Sequence, residues 1–366
     1  MDPDRTQSTL ATKILWIVWF LLFLYLFLLS IQMMSDAFKF LGKGFAETLI
    51  ATTSDPFTGL FIGLLATSVM QSSSSTTSIV VSLVAGGALS MHNAIPLIMG
   101  ANIGTTVTNL IVSLGHIGRR DDFRRAFAAS VVHDIFNILS VLIFFPLQYY
   151  TRFLERLSIY FEQLLVGYSG AQFSSPLKVI TQPVAEYISG LLGDIGWLIL
   201  VFAVTLLFVS LIYMVKYMKA LVMERAEVVF EQTVFKTPYY GFLFGLLLTA
   251  LVQSSSVTTS LIVPLAGAGM ISIQQVFPYT LGANVGTTVT AIMASLATGS
   301  PSALAVALSH LMFNVCGIAV FWWMPFVPIG IAEKLASYTV RNRSFAIFFI
   351  LIVFFILPLS LIYLMR

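Results

Sequence analysis

Two polar octapeptides stand in sequence that is otherwise almost wholly apolar, and one is a copy of the other. Gln71-Ser-Ser-Ser-Ser-Thr-Thr-Ser78 returns 182 residues later as Gln253-Ser-Ser-Ser-Val-Thr-Thr-Ser260. The flanks repeat at the same spacing. Gly59-Leu-Phe-Ile-Gly63 matches Gly241-Phe-Leu-Phe-Gly245, Pro96 matches Pro278, and Gly100-Ala-Asn-Ile-Gly-Thr-Thr-Val-Thr108 matches Gly282-Ala-Asn-Val-Gly-Thr-Thr-Val-Thr290. A looser echo, His133-Asp-Ile-Phe-Asn137 against His310-Leu-Met-Phe-Asn314, follows at a spacing of 177. The chain is a duplication, so its fold has to be two versions of one unit.

What kind of unit follows from the surroundings. Of 366 residues, 58% are hydrophobic and 10% are charged, and the mean hydropathy is +0.94. A soluble domain carries about a quarter charged residues, and a disordered chain is poor in aromatics. This chain has 31 Phe, 13 Tyr and 5 Trp. It reads as a polytopic membrane protein with room for roughly eight to ten spans of about 20 residues. The net charge of +3 is too small and dispersed to suggest nucleic-acid binding. Cys316, the one cysteine, is expected to be a packing residue.

No cleavage site follows the apolar run Ile14–Leu29, so Ile14 to Met33 reads as a first span, with Trp16 and Trp19 at interface depth. Further apolar stretches with at most one charged residue lie near 94–114, 126–150, 195–215, 276–297, 303–325 and 345–365. Those at 57–70, 79–89, 239–252 and 261–271 are too short to cross about 30 Å of hydrocarbon as helices. Short apolar arms around a polar run suggest hairpins that enter and leave on one side. Segments 36–53, 152–193 and 221–237 read as amphipathic helices or loops outside the bilayer.

The loops predict how the copies sit. Gly118-Arg-Arg-Asp-Asp-Phe-Arg-Arg125 carries four arginines after the first copy, whereas Ala297-Thr-Gly-Ser-Pro-Ser302 after the second carries none. The positive-inside rule puts the first linker in the cytoplasm and the second outside. Lys216 and Lys219 put the start of the second copy inside. Equivalent points then face opposite sides, which defines an inverted-topology repeat.

Hydroxyls can donate to anion oxygens and accept cations, and Gln and Asn add carbonyl oxygens. Gly100, Gly104, Gly282 and Gly286 are expected to permit unwound backbone that exposes further carbonyls and amides. Such an uncharged site suits a small oxyanion travelling with alkali cations. His133, Asn137, His310 and Asn314 are expected to make interhelical hydrogen bonds, and Asp134 to pair with Arg124 or Arg125 near the interface. Arg119, Arg120, Arg124 and Arg125 read as topology determinants.

The duplicated Gln-Ser-Ser-Ser runs, taken with both Gly-Ala-Asn-X-Gly-Thr-Thr motifs, resemble the type II sodium–phosphate cotransporter family. Phe123-Arg-Arg-Ala-Phe-Ala-Ala-Ser-Val-Val-His-Asp-Ile-Phe-Asn137 and His310-Leu-Met-Phe-Asn-Val-Cys-Gly317 are similar to the same family. The resemblance runs over about 57–150 and 239–360. Between the repeats, 151–195 lacks the cysteines and the Asn-X-Ser/Thr sequons of the large loop in animal members, which fits a bacterial member.

The resemblance implies Na⁺-driven symport of inorganic phosphate by alternating access. It implies phosphate contacts at Ser72, Ser73, Ser74, Ser254, Ser255 and Ser256, and sodium ligands at Gln253, Ser254, Thr287 and Thr290. Internal pseudo-symmetry adds Gln71, Asn102, Thr105 and Thr108 in the first copy. Val257 stands where the first copy has Ser75, so the copies need not bind the same number of ions. Na⁺ is the coupling ion; no cofactor, no resident metal and no nucleic-acid partner are expected. The expected setting is a plasma membrane, the inner membrane of a bacterium, with each protomer transporting alone.

The expected fold is an all-α polytopic membrane protein with two inverted repeats, each containing a re-entrant hairpin and an unwound transmembrane helix. An N-terminal helix and amphipathic segment (1–56) precede repeat 1 (57–150). An external amphipathic segment, a linking helix and a cytoplasmic linker (151–238) precede repeat 2 (239–330). A C-terminal amphipathic segment and helix (331–366) follow. Physics alone leaves the anion open among phosphate, sulfate, arsenate and a dicarboxylate. An intramembrane serine hydrolase built on Ser73 or Ser255 with a histidine would need one nucleophile–base pair, not two inverted copies, and no Gly-X-Ser-X-Gly elbow occurs at these serines.

Overall fold

The computed structural model describes residues 9–53, 55–166, 176–229 and 235–365. Among them every regular element is helical. A long first helix, α1 (Leu10–Thr53), leads to α2 (Pro56–Met70), α3 (Ser73–Ala85), α4 (Met91–Gly104), α5 (Val107–Leu114) and α6 (Arg120–Thr151). Next come α7 (Phe153–Val166), α8 (Pro176–Leu191) and α9 (Gly196–Val229). The second copy holds α10 (Pro238–Val252), α11 (Ser255–Ser260), α12 (Ile262–Gly267), α13 (Ile273–Thr298) and α14 (Pro301–Phe321). Helix α15 (Phe326–Arg341) precedes α16 (Ser344–Leu351) and α17 (Leu357–Leu364), which a π-helical turn at Ile352–Ile356 joins into one rod.

Seven helical stretches among the described residues are long and apolar enough to cross a membrane, fewer than the eight to ten that composition allows. The difference lies in the paired segments Pro56–Met70 with Ser73–Ala85, and Pro238–Val252 with Ser255–Gly267, all of which are short. Large apolar side chains such as Leu142, Val201, Ile212 and Phe348 stay exposed on the outside of the bundle, where lipid rather than water suits them. The chain is an integral, multi-pass membrane protein.

Matched caps start the matched helices. Asp55 accepts from Thr58 N at the start of α2, and Thr237 accepts from Tyr240 N at the start of α10. Each cap is followed by a proline in the first helical turn, where a missing N–H removes nothing. Helix α1 runs past the expected span, and its buried stretch Phe27–Phe38 packs on α9. Segment 36–53 is therefore a continuation of that helix, not a separate element. Likewise α9 continues to Val229 through most of the expected cytoplasmic linker.

Within each copy the first short helix lies against the motif helix, α2 on α4 and α10 on α13. Glycine is what lets them meet. A Cβ on Gly100 would sit 1.8 Å from Leu60 O, and one on Gly282 would sit 1.9 Å from Phe242 O. Gly104 and Gly286 repeat the pattern, each with a carbonyl 2.5 Å from the virtual Cβ. These glycines were expected to unwind the chain; instead they lie in helices and admit a neighbouring backbone. The expected unwinding is confined to an interruption at Thr105–Thr106 in the first copy, while α13 runs unbroken through the equivalent Thr287–Thr288.

The second arms cross over. Helix α3 packs on α13 and α14 of the second copy, and α11 and α12 pack on α5 and α6 of the first. Helices α11 and α12 are divided at Leu261, three residues before Pro264, whose ring opposes the carbonyl of Ser260. The first copy has Ser82 there, and α3 is continuous. The crossing brings both polar octapeptides to the middle of the bundle.

Candidate functional site

Each octapeptide opens on the same backbone signature. Gln71 ends α2 with φ 53° and ψ 28°, and Gln253 ends α10 with φ 60° and ψ 22°. Positive φ is uncommon for a residue other than glycine, and here it reverses the chain within one residue. The next serine then caps the following helix: Ser72 Oγ accepts from Ser75 N at 3.2 Å, and Ser254 Oγ accepts from Val257 N at 3.3 Å. Ser72 also meets Ser75 Oγ at 2.8 Å, a contact the second copy loses to Val257. Ser73 and Ser255 are the first residues of their helices. Their hydroxyls form no hydrogen bond among the described residues.

The two tips touch. Ser74 Oγ donates to Gln253 O at 3.0 Å, and Ser256 Oγ donates to Thr105 O at 3.3 Å. Thr105 O is available because the interruption between α4 and α5 sends Asn109 N to Thr106 O instead. Thr290 Oγ1 donates to Gln253 Oε1 at 2.6 Å, while Gln253 Nε2 donates to Ala250 O. Asn109 and Thr259 join side chains at 2.9 Å across the copies. Within each hairpin one threonine pair ties the arms, Thr67 to Thr76 at 2.8 Å and Thr249 to Thr258 at 2.7 Å. The repeat spacing alone could have flagged Thr67 and Thr249, which match at 182 residues.

Beside the tips lies a buried amide–imidazole network contributed by α4, α6, α13 and α14. His133 Nε2 lies 2.6 Å from Asn284 Oδ1, and His310 Nε2 lies 3.3 Å from Asn102 Oδ1. Asn284 Nδ2 donates to Asn137 Oδ1 at 2.8 Å, and Asn102 Nδ2 donates to Asn314 Oδ1 at 2.8 Å. Asn137 Nδ2 donates to Asn102 O at 2.9 Å, and Asn314 Nδ2 to His310 O at 3.1 Å. The interhelical role expected of both histidines and both asparagines is what the geometry shows. Asn102, expected among the cation ligands, has its side-chain oxygen and nitrogen engaged in this network instead.

The remaining expected ligands divide by copy. Thr105 and Thr287 turn their hydroxyls back to Ala101 O at 3.0 Å and Ala283 O at 3.1 Å. Gln253 is buried, Gln71 is exposed, and Thr108 Oγ1 is buried with no partner among the described residues. Asp134 corrects another expectation. It is fully buried, and neither carboxylate oxygen has a hydrogen-bond partner among the described residues. Arg125 instead meets Asp122 Oδ1 at 2.8 Å and Gly267 O at 2.9 Å. Asp134 lies nine residues further along α6, about 13 Å at helical rise, so the interfacial arginines are out of its reach.

Comparison with known proteins agrees with these features. The Na⁺/Pi-cotransporter family model matches residues 26–170 and 206–363. Sodium-dependent phosphate transport protein 2A of Rattus norvegicus is 35% identical, across 98% of this chain and 69% of its own length. The 2B protein of Bos taurus is 35% identical, across 93% of this chain and 63% of its own. The 2B protein of Homo sapiens is 33% identical, across 92% and 63%. No solved structure gives a significant match. With both copies covered by the family model and a third of aligned positions identical to these relatives, the chain belongs to the Na⁺/Pi-cotransporter family.

Proposed function

We propose that the protein is a symporter that couples inward Na⁺ movement to uptake of inorganic phosphate across a plasma membrane. The observation that carries this reading is the meeting of the two serine-rich tips, tied by the Ser74–Gln253 hydrogen bond. Two sets of hydroxyls and helix-start amides converge there without a protein charge among the motif residues. Such groups can replace the water of an oxyanion, and bound alkali cations balance its charge. Relatives to which the chain is similar carry sodium-dependent phosphate transport in their names.

In this reading phosphate lies between the tips against Ser73, Ser74, Ser255 and Ser256, with Ser72 and Ser254 holding the helix starts in place. Sodium is held by Gln253, Ser254, Thr287 and Thr290 in one half, and by Gln71, Thr105 and Thr108 in the other. Asn102 serves the network beside them. The short paired helices are re-entrant hairpins, and the copies are inverted in the membrane. That arrangement supports alternating access, in which the hairpins and motif helices move against the outer helices.

Purified protein in phosphate-free proteoliposomes tests the reading directly. An imposed inward Na⁺ gradient is expected to drive labelled phosphate uptake, and a K⁺ gradient of equal size is not. Excess unlabelled phosphate is expected to compete far better than sulfate. Absence of Na⁺-driven uptake, or equal competition by sulfate, overturns the assignment.

A further inference from the structure

A cleft of about 290 Å³ opens where the end of α12 meets α6 and α15. Its lining includes Arg124, Arg125 and Ala128 of α6, Ala266 of α12, and Glu333 and Ala336 of α15. Gly267, beside it, is twelve residues past Ser255, about 18 Å at helical rise. The cleft is therefore separate from the serine tips.

Three helices make the space by presenting alanine. Ala128 lies one turn from Arg124 on α6, and Ala336 lies one turn from Glu333 on α15. Ala266 faces them from α12, and all three alanines are buried. The result is an apolar floor beneath a charged rim.

That rim carries both signs of charge. Arg125 is committed, through Nε to Gly267 O at 2.9 Å and through Nη2 to Asp122 Oδ1 at 2.8 Å. Arg124 and Glu333 are exposed, and neither has an ion-pair or hydrogen-bond partner among the described residues, although both line the same cleft. A guanidinium and a carboxylate that share a cleft without meeting suit a ligand that is itself a separated pair of charges. Phosphate suits the guanidinium, and a primary ammonium suits the carboxylate.

We infer that this cleft binds the headgroup of a phosphatidylethanolamine lipid, with its phosphate on Arg124, its ammonium on Glu333 and its glycerol end over the alanine floor. The arginine-bearing end of α6 lies at a membrane surface, the cytoplasmic one by the positive-inside rule, so a headgroup enters from the adjoining leaflet. An anionic lipid without an amine leaves Glu333 facing a negative charge. A choline headgroup has no N–H to donate to it. Because Arg125 fastens Gly267, an occupied cleft braces the end of α12 against α6 and α15. The inference depends on the membrane setting and not on which solute is carried.

Thermal unfolding of delipidated protein in detergent tests this, with phosphatidylethanolamine, phosphatidylcholine or phosphatidylglycerol of identical acyl chains added to the micelles. Phosphatidylethanolamine is expected to raise the midpoint, as any ligand of the folded state does, at about a tenth of the concentration the other two require. Arg124→Ala and Glu333→Gln are expected to unfold at the wild-type temperature without lipid, since neither side chain has a partner to lose. Each is expected to need about tenfold more phosphatidylethanolamine for half of the rise, equivalent to one lost charge-assisted contact. Glu333→Gln is also expected to respond equally to phosphatidylethanolamine and phosphatidylglycerol. Water-soluble phosphoethanolamine and inorganic phosphate, added in choline chloride, separate a lipid from a free anion. Neither is expected to shift the midpoint where the lipid saturates.

Equal responses of the wild type to all three lipids overturn the inference, as does an unchanged phosphatidylethanolamine response in both variants. So does a rise with phosphoethanolamine or inorganic phosphate that Arg124→Ala abolishes, which would make the cleft a site for a soluble anion.

Discussion

His133 Nε2 lies 2.6 Å from Asn284 Oδ1, joining α6 of the first copy to α13 of the second. Asn284 Nδ2 is committed to Asn137 Oδ1, so Asn284 presents its oxygen and the imidazole must donate. His133 thus carries a hydrogen on Nε2. Each histidine reaches the asparagine of the opposite copy, since His310 does the same to Asn102 at 3.3 Å. The two repeats are locked by a pair of reciprocal bonds.

Breaking one lock should be expensive. His133→Ala strands Asn284 Oδ1 in a buried site, at about 1–3 kcal/mol. Asn284→Ala is expected to cost a similar amount, and the double variant less than their sum. A double-mutant cycle read by denaturant unfolding in micelles checks this, and strict additivity would show that the contact contributes nothing.

The close helix crossings give a sharper contrast. Gly100→Ala puts a methyl 1.8 Å from Leu60 O, a backbone atom that cannot step aside. Gly59→Ala, on the same helix pair, meets nothing nearer than 3.6 Å. Gly100→Ala and Gly282→Ala are expected to lose well over the 1–3 kcal/mol or so of ordinary overpacking, and so to abolish folded expression. Gly59→Ala is expected to fold. Fluorescence-detected size exclusion of the three variants decides it.

These glycines also mark where the sequence was ambiguous. Duplication, membrane setting, motif spacing and the paired histidines and asparagines were all legible, because each is a matter of pattern along the chain. Whether Gly100 and Gly282 serve to unwind a helix or to admit a neighbour was not. Both uses demand the absence of a Cβ, and the deciding atoms, Leu60 O and Phe242 O, are about 40 residues away in sequence. Asp134 was misplaced for a related reason. Its nearness to Arg124 and Arg125 in sequence says little once α6 is a single helix running from Arg120 to Thr151. The difference between Gln71 and Gln253 is one of side-chain burial, and the residues the two motifs share carry no trace of it.

Arg125 ties the start of α6 to the end of α12 through Gly267 O, with Asp122 steering its guanidinium. The group is 39% exposed, so water replaces much of what is lost when it is removed. Arg125→Ala is expected to cost about 0.5–1 kcal/mol, and Arg125→Lys to recover only part of it, because an ammonium cannot serve both acceptors with a planar fork. Thermal midpoints in low and high salt check the assignment. The loss in Arg125→Ala should shrink at high salt only through the Asp122 contact, leaving the bond to Gly267 O.

The serines of each tip divide into two tasks, and neighbouring variants separate them. Ser72 and Ser254 spend their hydroxyls on the backbone amides of Ser75 and Val257. Ser72→Ala and Ser254→Ala are expected to lower stability by about 1 kcal/mol, the usual value of an N-cap. Ser73 and Ser255 begin the same helices with hydroxyls that bond to nothing among the described residues. Ser73→Ala and Ser255→Ala are therefore expected to leave the unfolding temperature unchanged while raising the phosphate KM about tenfold or more, since an oxyanion loses a donor worth about 1.5–3 kcal/mol when charged. Unfolding temperature and phosphate KM measured on all four variants check both halves. Loss of stability in Ser73→Ala without a change in KM would remove that serine from the phosphate site and make it a packing residue.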